Sequence, residues 1–221
     1  MSNKRVIRAY SAEMRAMAGE NNERIISGYA SVFGDTADIY GYYTEVVARG
    51  AFDGCNFKDV IFCINHDTEK IPLARSRNNN ENSTMQLKVD EKGLYIEARI
   101  DTERNADAAA LYSAVERGDM SGMSFIFKVA DEEWTELETE MPRRTITKIA
   151  EVYEVTAATL PFYEATTLDA RAKSTLESEL ATLESVREAQ KELPAGNNGA
   201  LERAQQDKLS ALYKTRAKYG V

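Results

Sequence analysis

Two residues in this chain have the types that acyl transfer requires. One is Ser124, which follows a Gly118-Asp119 turn within Gly-Asp-Met-Ser-Gly-Met-Ser-Phe-Ile-Phe-Lys. The other is His66, the single histidine of the 221 residues. A serine hydroxyl is a poor nucleophile at neutral pH, so hydrolysis needs a base within hydrogen-bond reach and a third group to orient that base. Histidine is the ordinary base because its unperturbed pKa of about 6.5 lets it take and return a proton. With one histidine present, a carboxylate must orient it. The segment Glu151-Val-Tyr-Glu154-Val-Thr offers Glu151 and Glu154, which are three apart and so project to opposite faces of a strand; one of them can point inward. Cys63 is a weaker nucleophile candidate, because its spacing of three from His66 sends the two to opposite faces of one strand. Each residue also has a plainer explanation: a hydrogen-bonded structural histidine at a strand end, a serine after a turn, a glutamate on a solvated face.

These residues need rigid elements to hold them. Val60-Ile-Phe-Cys-Ile64 is a continuous apolar run of the kind shown by a fully buried strand, and it delivers Asn65-His66-Asp67 at its end. Asn105–Arg117 carries Ala110, Leu111, Ala114 and Val115 at helical spacing and stops at Gly118, suited to the left-handed residue after a helix. The chain then enters a strand at Ser124–Val129. Thr145–Ala158 reads as a further strand, with an acidic connection between the two, from Asp131 to Glu140, that includes Trp134. Arg5–Tyr10, Arg24–Phe33 and Tyr43–Ala48 favour strands, the last leading to a short helical turn at Arg49–Phe52. Met85–Val89 and Leu94–Ile100 alternate about Asp90-Glu-Lys-Gly93 as a hairpin, and Asn78–Asn82 reads as a loop. Thr159-Leu-Pro-Phe-Tyr163 breaks the strand pattern. Many short strands with few helices predict a mainly β (α+β) domain built as an antiparallel barrel or sandwich.

The net charge of −8 is uneven. Leu168 onward carries nine basic and eight acidic residues, leaving 19 and 28 before it, so residues 1–167 form an acidic domain that disfavours nucleic acid as a partner. No apolar run approaches the roughly 18–20 residues of a membrane span, and the basic N-terminus has no apolar stretch behind it, so neither membrane nor secretion is expected. Cys55 and Cys63 lack Cys-x-x-Cys spacing, which fits a reduced cytosolic setting without a metal or cofactor. Residues 168–221 differ in kind. Ser174-Thr-Leu-Glu177 matches a capping box, and Leu176, Leu180, Leu183 and Val186 follow at helical spacing up to a stop at Pro194–Gly199. A second helical pattern runs through Leu201, Ala204, Leu209 and Leu212. This C-terminal helical tail is expected to serve assembly or interaction.

An ordered set of segments carries a resemblance: Gly28-Tyr-Ala-Ser-Val-Phe33, Val46-Val-Ala-Arg-Gly50-Ala-Phe52, Phe62-Cys-Ile-Asn-His66-Asp67, Ile71-Pro-Leu-Ala-Arg75, Gly93-Leu94, Gly118–Phe127 and Glu154-Val-Thr-Ala-Ala-Thr-Leu-Pro161-Phe-Tyr163. Over roughly residues 24–167 the chain resembles the bacteriophage prohead (procapsid maturation) proteases, a serine peptidase family similar in fold and site to the herpesvirus assemblins. The resemblance implies an assemblin-like antiparallel β-barrel. It places the family histidine on His66, the nucleophile on Ser124 with Ser121 as runner-up, and the acidic partner on Glu154. Ile126 stands where the family commonly has Gly, and Ala74 where Leu-Gly-Arg is common; both bear on the shape of the oxyanion site, for which backbone amides with Arg75 or Arg143 are candidates.

What the resemblance implies is a serine endopeptidase, free of cofactors, packaged from the host cytoplasm into the prohead. Its expected substrates are the scaffolding segment of the major capsid protein precursor and itself, with a second copy of the chain as a further expected partner and the tail serving packaging or self-removal. The alternative is a non-enzymatic scaffold or capsid-assembly protein that keeps the fold without the activity.

Overall fold

The computed structural model of the chain describes residues 6–10, 14–19, 23–159 and 170–191. Of the break expected at Thr159–Tyr163 only Thr159 is described; residues 160–163, the stop at Pro194–Gly199 and the second tail helix lie outside the described residues.

Eleven strands and two helices are described. In chain order they are β1 (Val6–Tyr10), β2 (Arg15–Ala18), β3 (Arg24–Val32), β4 (Thr36–Ile39), β5 (Tyr43–Val47), β6 (Asp59–Ile64), β7 (Ala74–Arg77), β8 (Met85–Val89), β9 (Gly93–Ile100), α1 (Ala106–Glu116), β10 (Gly122–Thr135), β11 (Arg143–Ala158) and α2 (Ala170–Lys191). The fold is therefore mainly β with two helices, as expected. The strands pair as two sheets rather than as a closed barrel. A seven-stranded sheet runs β1-β10-β11-β5-β4, with β6 also on β11 and β7 on β6; a four-stranded sheet runs β2-β3-β9-β8. The large sheet is not wholly antiparallel either, since β5 and β6 both run parallel to β11. The length of β11 makes this possible: its first residues pair with β5 and its last with β6.

Period-two patterning builds the core between the sheets. Leu94, Ile96, Ala98 and Ile100 of β9 and Ile26 and Ala30 of β3 turn inward to meet Phe125, Phe127, Ile149 and Val155 of the long hairpin. Phe125 and Phe127 stack with centroids 4.3 Å apart. Such rings bring large buried area and fix the hairpin's twist against the second sheet. The β8–β9 hairpin forms at the expected turn, where the Asp90 side chain accepts from the amides of Lys92 and Gly93. Gly93 is obligatory, because a Cβ there would lie 2.0 Å from the Ser31 carbonyl oxygen across a bulge in β3.

Several expectations are corrected. The helical turn at Arg49–Phe52 is a run of tight turns, and β2, β4 and β7, of four residues each, arise where connections were expected. The first half of the acidic connection is strand: β10 continues to Thr135, and both Glu132 and Trp134 are buried. Helix α2 begins at Ala170, so Ser174 lies inside it rather than at its cap. Leu176, Leu183, Val186 and Ala189 bury one face of α2 on the β domain, and the Arg187 Nε donates to the Leu137 carbonyl.

Candidate active site

The three side chains singled out from the sequence converge at one end of the β10–β11 hairpin. Each arrives by a different device. Helix α1 is capped at its start by Asn105, whose side chain accepts from the amides of Asp107 and Ala108. It ends with the Gly118 amide on the Val115 carbonyl and the Asp119 amide on the Ala114 carbonyl, with Gly118 at φ +78°. This paired C-terminal closure with a left-handed glycine turns the chain sharply into β10. Ser124, two residues into β10, is in register with Ala9 of β1 on one side and Thr156 of β11 on the other, and it is fully buried.

His66 is held less conventionally. β6 buries Val60, Phe62 and Cys63 and runs parallel to β11, with Cys63 opposite Thr156. It ends in a turn in which Asp67 donates its amide to the Ile64 carbonyl, and both central residues are left-handed, Asn65 at φ 50° and His66 at φ 60°. That is the backbone of a type I′ turn. Asparagine tolerates it, whereas for histidine the conformation costs roughly 1–2 kcal/mol that neighbouring contacts must offset. Those contacts come from β11 and the residue that follows it. Asn65 donates from Nδ2 to Thr159 Oγ1 at 2.9 Å and accepts the Thr159 amide at 2.9 Å. The His66 amide donates to Thr156 Oγ1 at 3.1 Å, and its Nδ1 lies 2.7 Å from Glu154 Oε2. Glu154 and Thr156 are two apart on one strand, so one face of β11 grips the histidine's ring and backbone together.

The resulting chain of contacts is continuous. Glu154 Oε2 meets Nδ1, and Nε2 lies 2.7 Å from Ser124 Oγ. A carboxylate only accepts, so Nδ1 is the donor to Glu154, and in the tautomer with its proton on Nδ1 the ring offers Nε2 as an acceptor toward the serine. Ser124 Oγ is also 2.7 Å from the Arg8 carbonyl, so its one hydroxyl proton has two acceptors. Glu154 is 99% shielded from solvent, and its second oxygen receives the Cys63 thiol at 3.1 Å. Burial, then the Glu154 charge, pushes the Cys63 thiol well above its ordinary range, so it serves as a donor and not as a thiolate. The expectation that Cys63 and His66 face apart is corrected, because His66 belongs to the turn and both converge on Glu154. Glu151 points elsewhere and accepts from Asn56.

Neither arginine candidate for an oxyanion role is placed to serve. Arg143 pairs with Thr135 at the far end of the hairpin, eleven residues from Glu154 along β11, roughly 35 Å at strand rise. Arg75 is committed to Asp59 through Nε at 2.7 Å and Nη2 at 2.5 Å. Ile126 pairs with Ile7 of β1 and Glu154 of β11 beside an irregularity in the β10–β11 ladder, and its side chain is buried there.

Behind Ser124 lies a buried ionic cluster that sequence spacing did not reveal. Arg8, whose carbonyl faces Ser124, sends its guanidinium to Glu45 at 2.6 and 2.8 Å and to Glu179 of α2 at 2.8 Å. Arg144 bonds Glu45, Glu179 and Glu132, and the Tyr43 hydroxyl donates to Glu179 at 2.6 Å. Burial alone would raise the Glu179 carboxyl, but Arg8 and Arg144 outweigh it and hold it below the usual carboxylate range. Burial and the Glu179 charge push the Tyr43 phenol well upward. Among the described residues no helix is long and apolar enough to cross a membrane, and no three His, Cys, Asp or Glu side chains are grouped to hold a metal.

A family model described as caudovirus prohead serine protease matches residues 10–180. The prohead protease of Enterobacteria phage HK97 is 31% identical over 149 residues, a match covering 66% of this chain and 59% of that protein, so the chain spans well under two thirds of this relative's length. The solved structure of the bacteriophage T4 capsid assembly protease aligns over 70% of this chain and 97% of that one at 10% identity, with a TM-score of 0.42, a likeness too loose to carry weight.

Proposed function

Since this chain belongs to the caudovirus prohead serine protease family, we propose that it is a serine endopeptidase with Ser124 as nucleophile, His66 as base and Glu154 as the group that orients the imidazole. The observation that carries this reading is the unbroken Glu154–His66–Ser124 chain, with 2.7 Å at each link. In this reading the Ser124 Oγ attacks the scissile carbonyl while Nε2 takes its proton. Glu154, fixed by the Cys63 thiol, keeps Nδ1 protonated and stabilises the imidazolium that forms, and Nε2 then returns the proton to the leaving amine. The Arg8 carbonyl competes for the same hydroxyl proton, so productive attack requires that proton to swing toward Nε2. Because Ser124 has no exposed surface, a substrate carbonyl reaches it after neighbouring segments shift.

The proposed substrates are the scaffolding segment of the major capsid protein precursor and the chain itself, with action inside the prohead. Residues 1–167 would form the catalytic domain and 168–221 the appended segment, although α2 packs on the domain through Glu179 and its apolar face. The test is cleavage of the phage's own capsid precursor. Glu154→Gln should lower the rate by about 10⁴ at unchanged fold, since the ring then loses its tautomer control. A Glu154→Gln protein that cleaves as fast as wild type removes Glu154 from the mechanism.

A further inference from the structure

We infer that Thr156 is a positioning residue for His66, holding the left-handed turn that aims Nε2 at Ser124; the inference rests on the protease reading above. The hydroxyl lies where three chain segments meet and is fully buried. It donates to the Cys63 carbonyl at 3.1 Å and accepts the His66 amide at 3.1 Å, so one oxygen ties the last turn of β6 back on itself across the point where the chain reverses. A hydroxyl supplies one donor and acceptor lone pairs, and this geometry uses both kinds. Of the two groups it joins, the His66 amide lies beyond the strand ladder. β6 ends at Ile64, and the Asp67 amide closes the turn on the Ile64 carbonyl, which leaves the His66 amide to a side chain.

The need for such a tie follows from the backbone. Histidine is disfavoured at φ 60°, and relaxing to the ordinary negative region would swing the imidazole away from Ser124. Glu154 holds the ring through Nδ1, while the Asp67 amide on the Ile64 carbonyl and the Thr68 amide on the His66 carbonyl hold the backbone on the far side of His66. Thr156, two residues further on the same face of β11, holds the His66 amide itself. Asn65 and Thr159 brace the preceding residue in the same manner. The position also explains why a hydroxyl residue follows Glu154 at a spacing of two.

The prediction separates positioning from substrate binding and from bulk stability. Thr156→Val preserves the shape and removes both bonds; a reacting group displaced by about 1 Å costs on the order of 10² in rate. The full-length chain acting on its phage's capsid precursor should show kcat lowered about 10²-fold with KM within about twofold for Thr156→Val. Thr156→Ser should restore most of the rate. Because the chain has one histidine, selective ¹⁵N-histidine labelling yields one imidazole spectrum. Thr156→Val should broaden or shift it, and Thr156→Ser should return it to the wild-type position. If the valine protein unfolds, Thr156→Ala takes its place, with the same split expected.

Wild-type kcat and imidazole signals in Thr156→Val overturn the inference, as does a loss that Thr156→Ser fails to restore. Ser124→Ala is run alongside. If it cleaves like wild type, or if wild type leaves the precursor whole, the protease reading itself falls and takes this inference with it. If Ser124→Ala is inert and Thr156→Val is fully active, the inference alone is wrong.

Discussion

The buried ionic cluster permits a quantitative prediction, because its formal charges do not balance. Two guanidinium groups, Arg8 and Arg144, face three carboxylates, Glu45, Glu132 and Glu179, with the Tyr43 hydroxyl donating to Glu179. Glu179→Gln leaves two charges of each sign and keeps an acceptor oxygen in place. Its cost is the weakening of charge-assisted bonds, about 2 kcal/mol. Arg144→Met leaves Arg8 alone against three carboxylates. Removing one partner from a buried ion pair costs about 3–5 kcal/mol, and the excess of like charge pushes this case to the upper end, near 4–5 kcal/mol. The difference is about a factor of 30 or more in the folding equilibrium, at 1.4 kcal/mol per tenfold. The assay is urea unfolding followed by fluorescence of Trp134, the chain's single tryptophan, which is buried with its ring edge-on to Tyr43 at 5.0 Å and its indole N–H on Glu132. With a slope of roughly 2 kcal/mol per molar urea, the midpoints should fall by about 1 M and about 2 M. An Arg144→Met protein as stable as Glu179→Gln, or more so, refutes the charge-balance reasoning.

Two further outcomes follow from the same contacts. The folded state holds the Glu179 carboxyl below its ordinary value, so its contribution is fully present above about pH 4.5 and is lost as pH falls through the lowered folded value. Urea titrations at descending pH should show the gap between wild type and Glu179→Gln closing below pH 4.5; a gap that widens there contradicts the assigned direction. Truncation after Thr167 removes Glu179 together with the buried face of α2 and should unfold or strongly destabilise the β domain. A midpoint equal to that of the full chain would show that α2 contributes nothing to the domain.

What sequence patterning revealed and what it hid divide along physical lines. The apolar run Val60–Ile64, the helix stop at Gly118 and the alternation through Glu154 are local signals, and they marked the strand end, the turn and the strand that bring His66, Ser124 and Glu154 together. Thr156 had a local signal too, its spacing of two from Glu154, but a threonine in a β-rich segment is explained by strand preference alone. The strands β2, β4 and β7 were hidden because four residues give too short a period to read. The end of β10 was hidden because Asp131, Glu132 and Glu133 look solvated; Glu132 is buried against Arg144, a residue on the neighbouring strand. Parallel pairing of β5 and β6 with β11, and the meeting of Arg8 with Glu179 across 171 residues, are properties of the assembled chain. The left-handed pair Asn65-His66 carries half a signal: Asn is a usual occupant of such turns and His is not.

The central claim is that Ser124 is a proteolytic nucleophile. Its most direct test is co-expression of the full chain with its phage's capsid protein precursor, comparing wild type with Ser124→Ala by intact mass. The account predicts that wild type shortens the precursor and itself, while Ser124→Ala leaves both whole and shells still assemble. Identical full-length masses in both samples, or identical cleavage in both, would contradict it.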